Sequence, residues 1–361
     1  MNINKKTLTK YLDQLFEINA ININVADMLV TAFNYVDIFD EDEIKQYVKE
    51  GLSEKEAIIE QLYDFYRLDS NNEENNQIMG EYFLNNIKKL DEKDYLNNPY
   101  VLSINKEVKL GKYTLKHIKY EPYQLFAYDE IKVTDDFKEY SAIGYFDKPF
   151  SYLALTNGNN IWMSLNPNEI ETMKPFIKKG KGCVLVLGLG MGYVPFMLSL
   201  KNEVESIVII EKDEEIISLF NKHLKPYFKN EDKITIIRDD AIRYTSNKEQ
   251  CQKYDYIFAD LWHDPEDGLK PFVELKRNAL KIGKEIDCWL ETSLIALLRR
   301  CMMTLLEETM ISSKEEDYKF AKIYTDEIIN LFYKKTKNIT LNNEDDVNNL
   351  LKDESLLKLL S

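Results

Sequence analysis

The sequence predicts an α/β protein built on a doubly wound parallel sheet. Five short apolar runs alternate with helical patterns in the second half of the chain, and a glycine-rich turn directly follows the first run. The runs are Cys183–Leu187, Ser206–Ile210, Ile234–Ile237, Tyr256–Ala259 and Ile286–Leu290. Helical patterns such as Glu214–Phe220 and Pro271–Leu280 lie between them. Alternation of this kind gives parallel strands with helices on both faces of the sheet.

Two regions precede this sheet and divide the chain into the segments 1–100, 101–165 and 166–361. The first is predicted to be a helical domain, because Ser53 and Glu56 form a capping box ahead of apolar residues at helical spacing. The second is predicted to be a small β region. Its runs are short and rich in β-forming residues, and Asn157-Gly158 is a favoured hairpin turn. The third holds the sheet and ends in a helical extension of about 70 residues.

Four short stretches predict where individual helices begin or stop. Asn166–Glu169 (NPNE) predicts a helix start, with a capping asparagine followed by proline at the first helical position. The segments 69–77 (DSNNEENNQ) and 342–349 (NNEDDVNN) predict polar interruptions between helices. Leu356–Leu360 predicts a frayed apolar end.

The balance of charges argues against several classes of partner. The 361-residue chain has 47 Lys+Arg and 62 Asp+Glu, which gives a formal net charge of −15. Such an excess disfavours binding to nucleic acid and to anionic membranes, because both depend on basic surface. A neutral or cationic molecule is easier to accommodate. The sequence therefore predicts a small-molecule substrate, with no nucleic-acid partner and no membrane partner.

The cysteines and the first residues predict a cytoplasmic location. Four cysteines are scattered without a C-x-x-C pair, which argues against a zinc site and against a disulfide scaffold. No metal site is therefore predicted. The first residues lack the apolar block of a signal peptide. The uncharged segment Gly182–Leu200 has clustered glycines and a proline at its centre, so it predicts a strand, a turn and a helix instead of a membrane span.

The glycine-rich turn and the acid after the second strand predict a nucleotide site. Gly188, Gly190 and Gly192 let the backbone approach a ligand without side chains in the way. Glu211 ends the second strand, 23 positions after Gly188, where a Rossmann-type fold has its ribose-binding acid. The alternative for Glu211 is a surface acid that caps the next helix together with Asp213.

Acids also follow the third and fourth strands. Asp239 and Asp240 come after the third strand, where a carboxylate can accept a hydrogen bond from an adenine amino group. Either residue could instead be a helix N-cap. Asp260 follows the fourth strand, and strand ends in such sheets point at the ligand crevice. The alternative for Asp260 is a structural cap.

The loop after the fourth strand (DLWHDP) holds three candidate catalytic residues. Asp260 could orient or deprotonate an acceptor, and His263 could act as a base, a role for which histidine is well suited. Asp264 is the second acid of the loop. A solvent-facing histidine and solvating acids are the alternatives. Trp162 and Trp262 could wall a substrate pocket or pack in the core.

Together these features resemble the class I S-adenosylmethionine-dependent methyltransferase fold, over about Gly182–Glu291. The resemblance implies a Rossmann-like sheet whose glycine turn holds the methionine part of the cofactor S-adenosylmethionine. It further implies that Glu211 takes the ribose hydroxyls and Asp240 the adenine. A dinucleotide dehydrogenase is less similar, because the third glycine of its G-x-G-x-x-G motif would fall at Tyr193. The cofactor-binding candidates are Gly188, Leu189, Gly190, Gly192, Tyr193, Glu211, Lys212, Asp239, Asp240, Ala241 and Asp260.

Within that superfamily the chain is most similar to the spermidine synthase branch. That branch also places a small β region, a hairpin and a helix ahead of the glycine turn. It carries a D-x-x-D-P loop after the fourth strand, whereas here Asp260 and Asp264 are separated by one residue more. Met163 stands where the branch has a glutamine, and Thr172-Met173 stand where it has a tyrosine–histidine pair.

Because of these departures, the sequence alone favours an S-adenosylmethionine-dependent methyltransferase whose acceptor is an unidentified small molecule. The first alternative is an aminopropyltransferase that acts on a polyamine, supported by the order of the regions and by the two acids of the loop. The second alternative is a nucleotide-binding or scaffolding protein without activity. In such a scaffolding protein the helical N- and C-terminal segments could form contacts within a homo-oligomer.

Overall fold

The computed structural model describes residues 1–35, 38–311 and 324–360. The helices are α1 Lys5–Asn34, α2 Glu41–Lys49, α3 Glu54–Tyr66, α4 Glu73–Ile78, α5 Glu92–Leu96, α6 Pro99–Ser103, α7 Pro167–Lys179, α8 Tyr193–Ser199, α9 Glu214–Leu219, α10 Ala241–Thr245, α11 Lys248–Gln252, α12 Pro265–Ile282, α13 Glu291–Ile311, α14 Tyr324–Thr336, α15 Glu344–Leu351 and α16 Asp353–Leu359. None of the helices in these ranges combines the length and the apolar character that a membrane span needs.

The strands are β1 Asn2–Ile3, β2 Ile87–Lys89, β3 Val108–Leu110, β4 Tyr113–Tyr120, β5 Phe126–Ala127, β6 Lys132–Val133, β7 Glu139–Tyr140, β8 Ile143–Tyr145, β9 Phe150–Asn157, β10 Asn160–Ser164, β11 Gly182–Leu187, β12 Val204–Glu211, β13 Ile234–Arg238, β14 Tyr256–Ala259, β15 Asp287–Cys288 and β16 Thr340–Leu341. Single π-helical segments, Met79–Leu84 and Phe220–Leu224, continue α4 and α9.

In the described residues, the central sheet has five parallel strands in the order β13-β12-β11-β14-β15. This Rossmann-like, methyltransferase-type arrangement confirms the predicted fold class. The strand order changes direction beside β11, and ligands of such sheets bind outside the carboxyl ends of the strands at that point. β11 ends immediately before Gly188, and β14 ends immediately before Asp260. The glycine turn and Asp260 therefore meet at the expected ligand crevice.

The apolar runs become central strands because helices cover them on both faces. Val184–Leu187 are at most 1% exposed. Continuous apolar runs of this kind are typical of buried parallel strands. The predicted last strand is shorter than expected, since β15 contains only two of the residues in Ile286–Leu290.

The predicted β region lies ahead of the sheet. β3, β4, β9 and β10 form an antiparallel sheet, and the predicted turn joins β9 to β10 with Gly158 at a φ of +61°. Asn166 caps α7 by accepting a hydrogen bond from the amide of Glu169 at 3.1 Å, and Pro167 is in the first turn, as predicted. The hairpin therefore leads directly into α7.

The side chains pack into two apolar cores. The larger core includes Leu8, Tyr113 and Leu360, so it draws on all three predicted segments. The smaller core packs α1–α4 against β2 and β8. In it, α3 begins with the predicted capping box, where the carboxylate of Glu56 accepts from the amide of Ser53 at 2.7 Å. The division into three segments stays a prediction.

The two predicted polar interruptions are wrong in part, because each contains the start of a helix. Asn72 accepts hydrogen bonds from two amides in the first turn of α4, which occupies much of 69–77. Asn343 likewise caps α15, which begins within 342–349. Asparagine and aspartate favour helix starts as strongly as loops, so polarity alone does not separate the two.

The predicted frayed end is also wrong. Leu356–Leu360 lies in and directly after α16, which packs against α13. Leu356 and Leu360 are at most 1% exposed. The guanidinium of Arg277 donates to the carbonyl of Leu360 at 2.8 Å. The stretch is ordered because its leucines are part of the larger core.

The first strand pairs with a strand from near the other end of the chain. β1 lies parallel to β16, with Asn2 opposite Thr340. The hydroxyl of Thr7 donates to the carbonyl of Asn342 at 2.7 Å, across 335 positions of sequence. The start of α1 is thereby fixed against the C-terminal helices.

Candidate functional site

A cleft of about 550 Å³ lies at the carboxyl ends of β11–β14. A cavity of this size accommodates a small organic ligand. Of the eleven predicted cofactor-binding residues, all but Gly192 border it. Those that do are Gly188, Leu189, Gly190, Tyr193, Glu211, Lys212, Asp239, Asp240, Ala241 and Asp260. β10 and the first turns of α7 border the cleft as well.

The glycines of the turn serve different purposes. At Gly188, where φ is +96°, a Cβ would lie 1.9 Å from the backbone oxygen of Asp260, so the two strand exits can meet only beside a glycine. At Gly190, where φ is +53°, the nearest atom to a Cβ would be the sulfur of Met163 at 4.0 Å. Gly190 therefore leaves space for a ligand. A Cβ on Gly192 would meet an aromatic ring of the core at 2.5 Å, so this glycine serves packing.

Glu211 connects the second strand to the glycine turn. Its Oε2 accepts a hydrogen bond from the amide of Leu189 at 3.1 Å, and its Oε1 accepts one from the amide of Asp213 at 2.8 Å. Asp213 caps α9 and also accepts from the hydroxyl of Tyr113 at 3.0 Å. Glu211 thus fixes the turn beside the cleft, and its contact with ribose stays a prediction.

Asp239 and Asp240 both border the cleft, but in different local settings. Asp240 caps α10 by accepting from the amide of Arg243 at 2.9 Å, which is the structural alternative for this residue. Asp239 forms an ion pair with the Arg243 guanidinium, which lowers the pKa of Asp239. The adenine contact of either acid stays a prediction.

Asp260 and Glu169 are two carboxyl groups in the cleft that accept no hydrogen bond from the described residues. Burial raises the pKa of Asp260 to about 7, against the opposing effect of nearby His263 and with a smaller contribution from Glu211. Burial and repulsion from Asp260 raise the pKa of Glu169 well above its ordinary value. Asp260 therefore divides between its two forms at neutral pH, and Glu169 holds its proton more tightly than an exposed glutamate does. Groups with such shifts are concentrated at functional sites.

Sequence reasoning did not identify Glu169 as a site residue. Its position three residues after Asn166 suggests a capping role, in which the glutamate side chain reaches back to the first amide of the helix. α7 lacks that reciprocal bond, and the carboxyl group borders the cleft instead. Its position after a hairpin that precedes the glycine turn was the available signal.

The loop after β14 separates its candidate residues. His263 borders the cleft, and its Nδ1 lies 2.9 Å from Oδ2 of Asp267. Asp264 is not in the cleft lining. It caps α12 by accepting from the amides of Glu266 at 2.8 Å and Asp267 at 3.0 Å. The structure therefore brings His263 to Asp260 and turns Asp264 toward the helix.

We expect Asp264→Ala to lower the free energy of unfolding by about 1 kcal/mol, because two amides of α12 lose their acceptor. Urea denaturation measures the change. Asp264→Asn is the matched variant, since asparagine keeps the cap and removes the charge. Equal stability of the alanine variant and the wild type would contradict the capping role. Lost turnover in the asparagine variant would support the predicted catalytic role.

Two tryptophans border the cleft near this loop. Trp162 is about one third exposed, and its ring lies 4.7 Å from that of His263. Trp262 is buried, and a Cβ on Gly268 of α12 would lie 2.7 Å from its ring. The Nε1 of Trp262 has no partner among the described residues. Trp162 therefore supplies accessible wall, whereas Trp262 belongs to both the wall and the core.

The cleft carries a large excess of acidic groups. In the described residues its lining contains seven carboxyl groups, one lysine (Lys212), His263 and no arginine. The seven are Glu169, Glu211, Asp213, Asp239, Asp240, Asp260 and Asp267. No three acidic, histidine or cysteine side chains of the described residues are arranged to hold a metal ion. The excess of carboxyl groups favours a cationic ligand.

Residues 168–342, slightly less than half of the chain, match a known family model. The match is to the spermine/spermidine synthase domain. It includes Glu169, the glycine turn, all four strand ends and the loop after β14. No curated protein matches the chain significantly.

One similar solved structure is that of spermidine synthase from Thermotoga maritima, at 19% identity and a TM-score of 0.30. The aligned region covers 42% of this chain and 55% of that chain. The chain thus spans about half the length of that synthase.

Proposed function

We propose that this protein is an aminopropyltransferase, which uses decarboxylated S-adenosylmethionine and an amine acceptor. The observation that carries the proposal is the desolvated carboxyl group of Asp260, with a pKa of about 7, in an acidic cleft beside the glycine turn. The family match supports aminopropyl transfer over the methyl transfer that the sequence alone favours. Cytoplasmic location and homo-oligomer formation stay predictions.

The charge of the cleft supports the decarboxylated ligand. Ordinary S-adenosylmethionine carries a carboxylate, which would enter a lining with seven carboxyl groups. Lys212 is the one lysine among the described lining residues, and it follows Glu211 at the end of β12. Like charges at short range in a partly dehydrated site repel one another strongly. The decarboxylated form lacks the anionic group and keeps the cationic amine.

The residues present fit such a ligand. Gly190 leaves open space where a side chain would otherwise project, and Glu211 holds the turn in place. When bound, the ligand would supply a sulfonium centre with an electrophilic aminopropyl carbon. Asp260 would take the proton that the acceptor ammonium must lose before its nitrogen forms the new C–N bond. As that bond forms, the C–S bond breaks and its electron pair stays on sulfur as a neutral thioether.

The pKa of Asp260 suits this role. A general base works best when its pKa is close to the working pH, because a large fraction of it is then ionised and the ionised form is still strongly basic. Burial places the pKa of Asp260 near 7, and burial together with repulsion from Asp260 raises the pKa of neighbouring Glu169. The Asp267 carboxylate fixes Nδ1 of His263, and Nε2 of that ring has no hydrogen-bond partner among the described residues, so it can exchange protons.

We expect decarboxylated S-adenosylmethionine to bind at least about tenfold more tightly than S-adenosylmethionine in calorimetry, because only the latter places a carboxylate in the acidic cleft. With 1,4-diaminobutane as acceptor, mass spectrometry should detect methylthioadenosine only when the amine is present. Release of S-adenosylhomocysteine from S-adenosylmethionine and the amine, without methylthioadenosine from the decarboxylated donor, would overturn aminopropyl transfer and establish methyl transfer. Binding of neither ligand would contradict both enzymatic readings and favour the scaffolding alternative.

Methyl transfer to an amine is the second candidate. The spermidine synthase branch has a glutamine and a tyrosine–histidine pair at positions where this chain has Met163 and Thr172-Met173. Met163 and Met173 border the cleft with apolar side chains. The hydroxyl of Thr172 is turned away, since it accepts a hydrogen bond from Nε1 of Trp289 in the core at 2.8 Å.

A further inference from the structure

A short helix from outside the family-matched region lies behind the glycine turn. α6 precedes the match at residue 168 by more than 60 residues and packs against α8, the helix that follows the turn. The side of the turn that faces away from the cleft is therefore covered by the N-terminal part of the chain.

Tyr100 of α6 makes the central contact. It is fully buried, and its hydroxyl donates a hydrogen bond to the backbone carbonyl of Met191, in the middle of the turn. Its ring packs edge-on against Tyr193 at 5.6 Å and against Phe196 at 5.2 Å. Burial raises the pKa of Tyr100 far above its usual value, so the hydroxyl remains a donor at every relevant pH.

Asn98 adds a second contact from the same segment. Its Oδ1 accepts from the amide of Tyr100 at 2.9 Å and so caps α6. Its Nδ2 donates to the hydroxyl of Tyr193 at 3.0 Å. One buried amide therefore orders α6 and ties it to a residue that borders the cleft.

The turn is consequently held from two directions. Glu211 accepts from the amide of Leu189 on the β12 side, and Tyr100 donates to the carbonyl of Met191 from behind. Between these points the amide of Gly192 donates to the carbonyl of Leu189 at 2.9 Å. The orientation of the peptide groups around Gly190 is thus set by one contact within the sheet domain and one contact from α6.

We propose that Asn98 and Tyr100 are positioning residues, which hold the glycine turn in its ligand-binding conformation and make α6 part of the site. The identity of the ligand, decarboxylated S-adenosylmethionine, rests on the proposed function, whereas the effect of the two residues on the conformation of the turn does not. Loss of the hydroxyl leaves a buried carbonyl without its donor, and such a group shifts toward another partner. A small displacement of a binding loop is enough to weaken binding substantially.

The test compares Tyr100→Phe with Tyr145→Phe. Tyr145 is equally buried and its hydroxyl donates to Glu54 at 3.0 Å, but it lies in the smaller core, away from the cleft. We expect both variants to lose similar thermal stability. Tyr100→Phe should raise the KM for decarboxylated S-adenosylmethionine by about tenfold with kcat little changed, and Tyr145→Phe should leave KM within about twofold.

Hydrogen exchange without ligand separates this inference from the proposed function. In Tyr100→Phe the amides of residues 189–194 should exchange faster than in the wild type, and in Tyr145→Phe they should not. Unchanged exchange in Tyr100→Phe overturns the inference, whatever ligand binds. Failure of the wild type to bind any adenosyl ligand overturns the proposed function, while faster exchange in Tyr100→Phe would still support the positioning role.

Discussion

Asp260→Asn should lower turnover by about 10²- to 10⁴-fold while ligand binding is retained, because the amide cannot accept the proton that the acceptor must lose. In the wild type, only ionised Asp260 can act as the base. Its pKa of about 7 therefore predicts that wild-type turnover falls as the pH decreases below 7. The residual turnover of the variant should lack this acidic limb. Initial rates from pH 5.5 to 9 measure both effects.

The same substitution should raise stability at alkaline pH. Because burial raises the pKa of Asp260, the folded state is favoured by protonation below the ordinary aspartate pKa of about 4, and this contribution is lost as the pH rises to about 7. Above pH 7 the wild type carries a poorly solvated charge. Asp260→Asn removes that charge, so its Tm should exceed that of the wild type at pH 8 and approach it below pH 5.

Asp255→Asn is the matched control for Asp260→Asn. Asp255 lies immediately before β14, at the opposite end from Asp260, and accepts from the amide of Cys183 at 2.8 Å. An asparagine oxygen can keep that bond, so turnover should remain close to the wild-type value. Full activity of Asp260→Asn would exclude Asp260 as the base. Loss of activity together with a lower Tm at pH 8 would indicate a folding defect instead.

Alanine at Gly188 should prevent folding, whereas alanine at Gly190 should leave the fold intact and weaken ligand binding. At Gly188 the new Cβ would meet the backbone oxygen of Asp260, and neither strand exit can yield without disturbing the sheet. We expect a loss of about 4 kcal/mol or more in unfolding free energy, seen as insoluble or unfolded protein. At Gly190 the Cβ enters open cleft, so the variant should fold but bind adenosyl ligands at least about tenfold more weakly in calorimetry.

Gly283→Ala controls for backbone strain. Gly283 ends α12 with a φ of +67°, similar to the +53° of Gly190, and no atom lies within 4 Å of its Cβ position. Both alanine variants should therefore lose a comparable amount of stability, about 1 kcal/mol, from the left-handed conformation. Only Gly190→Ala should lose affinity. Equal affinity of these two variants would show that the space beside Gly190 is not used by ligand.

The sheet could be predicted from the sequence because the features that specify its strands are local in the sequence. Each buried strand is a continuous apolar run, and the glycine turn and Glu211 occur at the expected spacing along the chain. Since carboxyl ends of parallel strands lie at one edge, residues that follow different strands could be assigned to one cleft. The prediction of polar interruptions at 69–77 and 342–349 was wrong for a related reason. A helix start with a capping asparagine such as Asn72 has the same local composition as a loop.

The remaining site residues could not be predicted because they depend on packing between distant segments. Glu169 reaches the cleft because the hairpin places α7 beside the sheet, and Tyr100 reaches the turn from a helix about 90 residues earlier. The pKa of Asp260 is likewise set by burial, which no spacing in the sequence reveals. For Asp264 the sequence position suggests a catalytic role, but the structure shows that its side chain caps α12.

The pairing of β1 with β16 has a consequence for how the protein is made. Asn2 and Thr7 leave the ribosome more than 300 residues ahead of their partners Thr340 and Asn342. At a typical elongation rate of about 5–20 residues per second, the start of α1 waits for roughly 15 to 70 seconds without its native neighbours. During that interval Leu8 has no access to the part of the core that Leu360 completes. The start of the amphipathic helix α1 is therefore a segment of the nascent chain on which a holding chaperone would act.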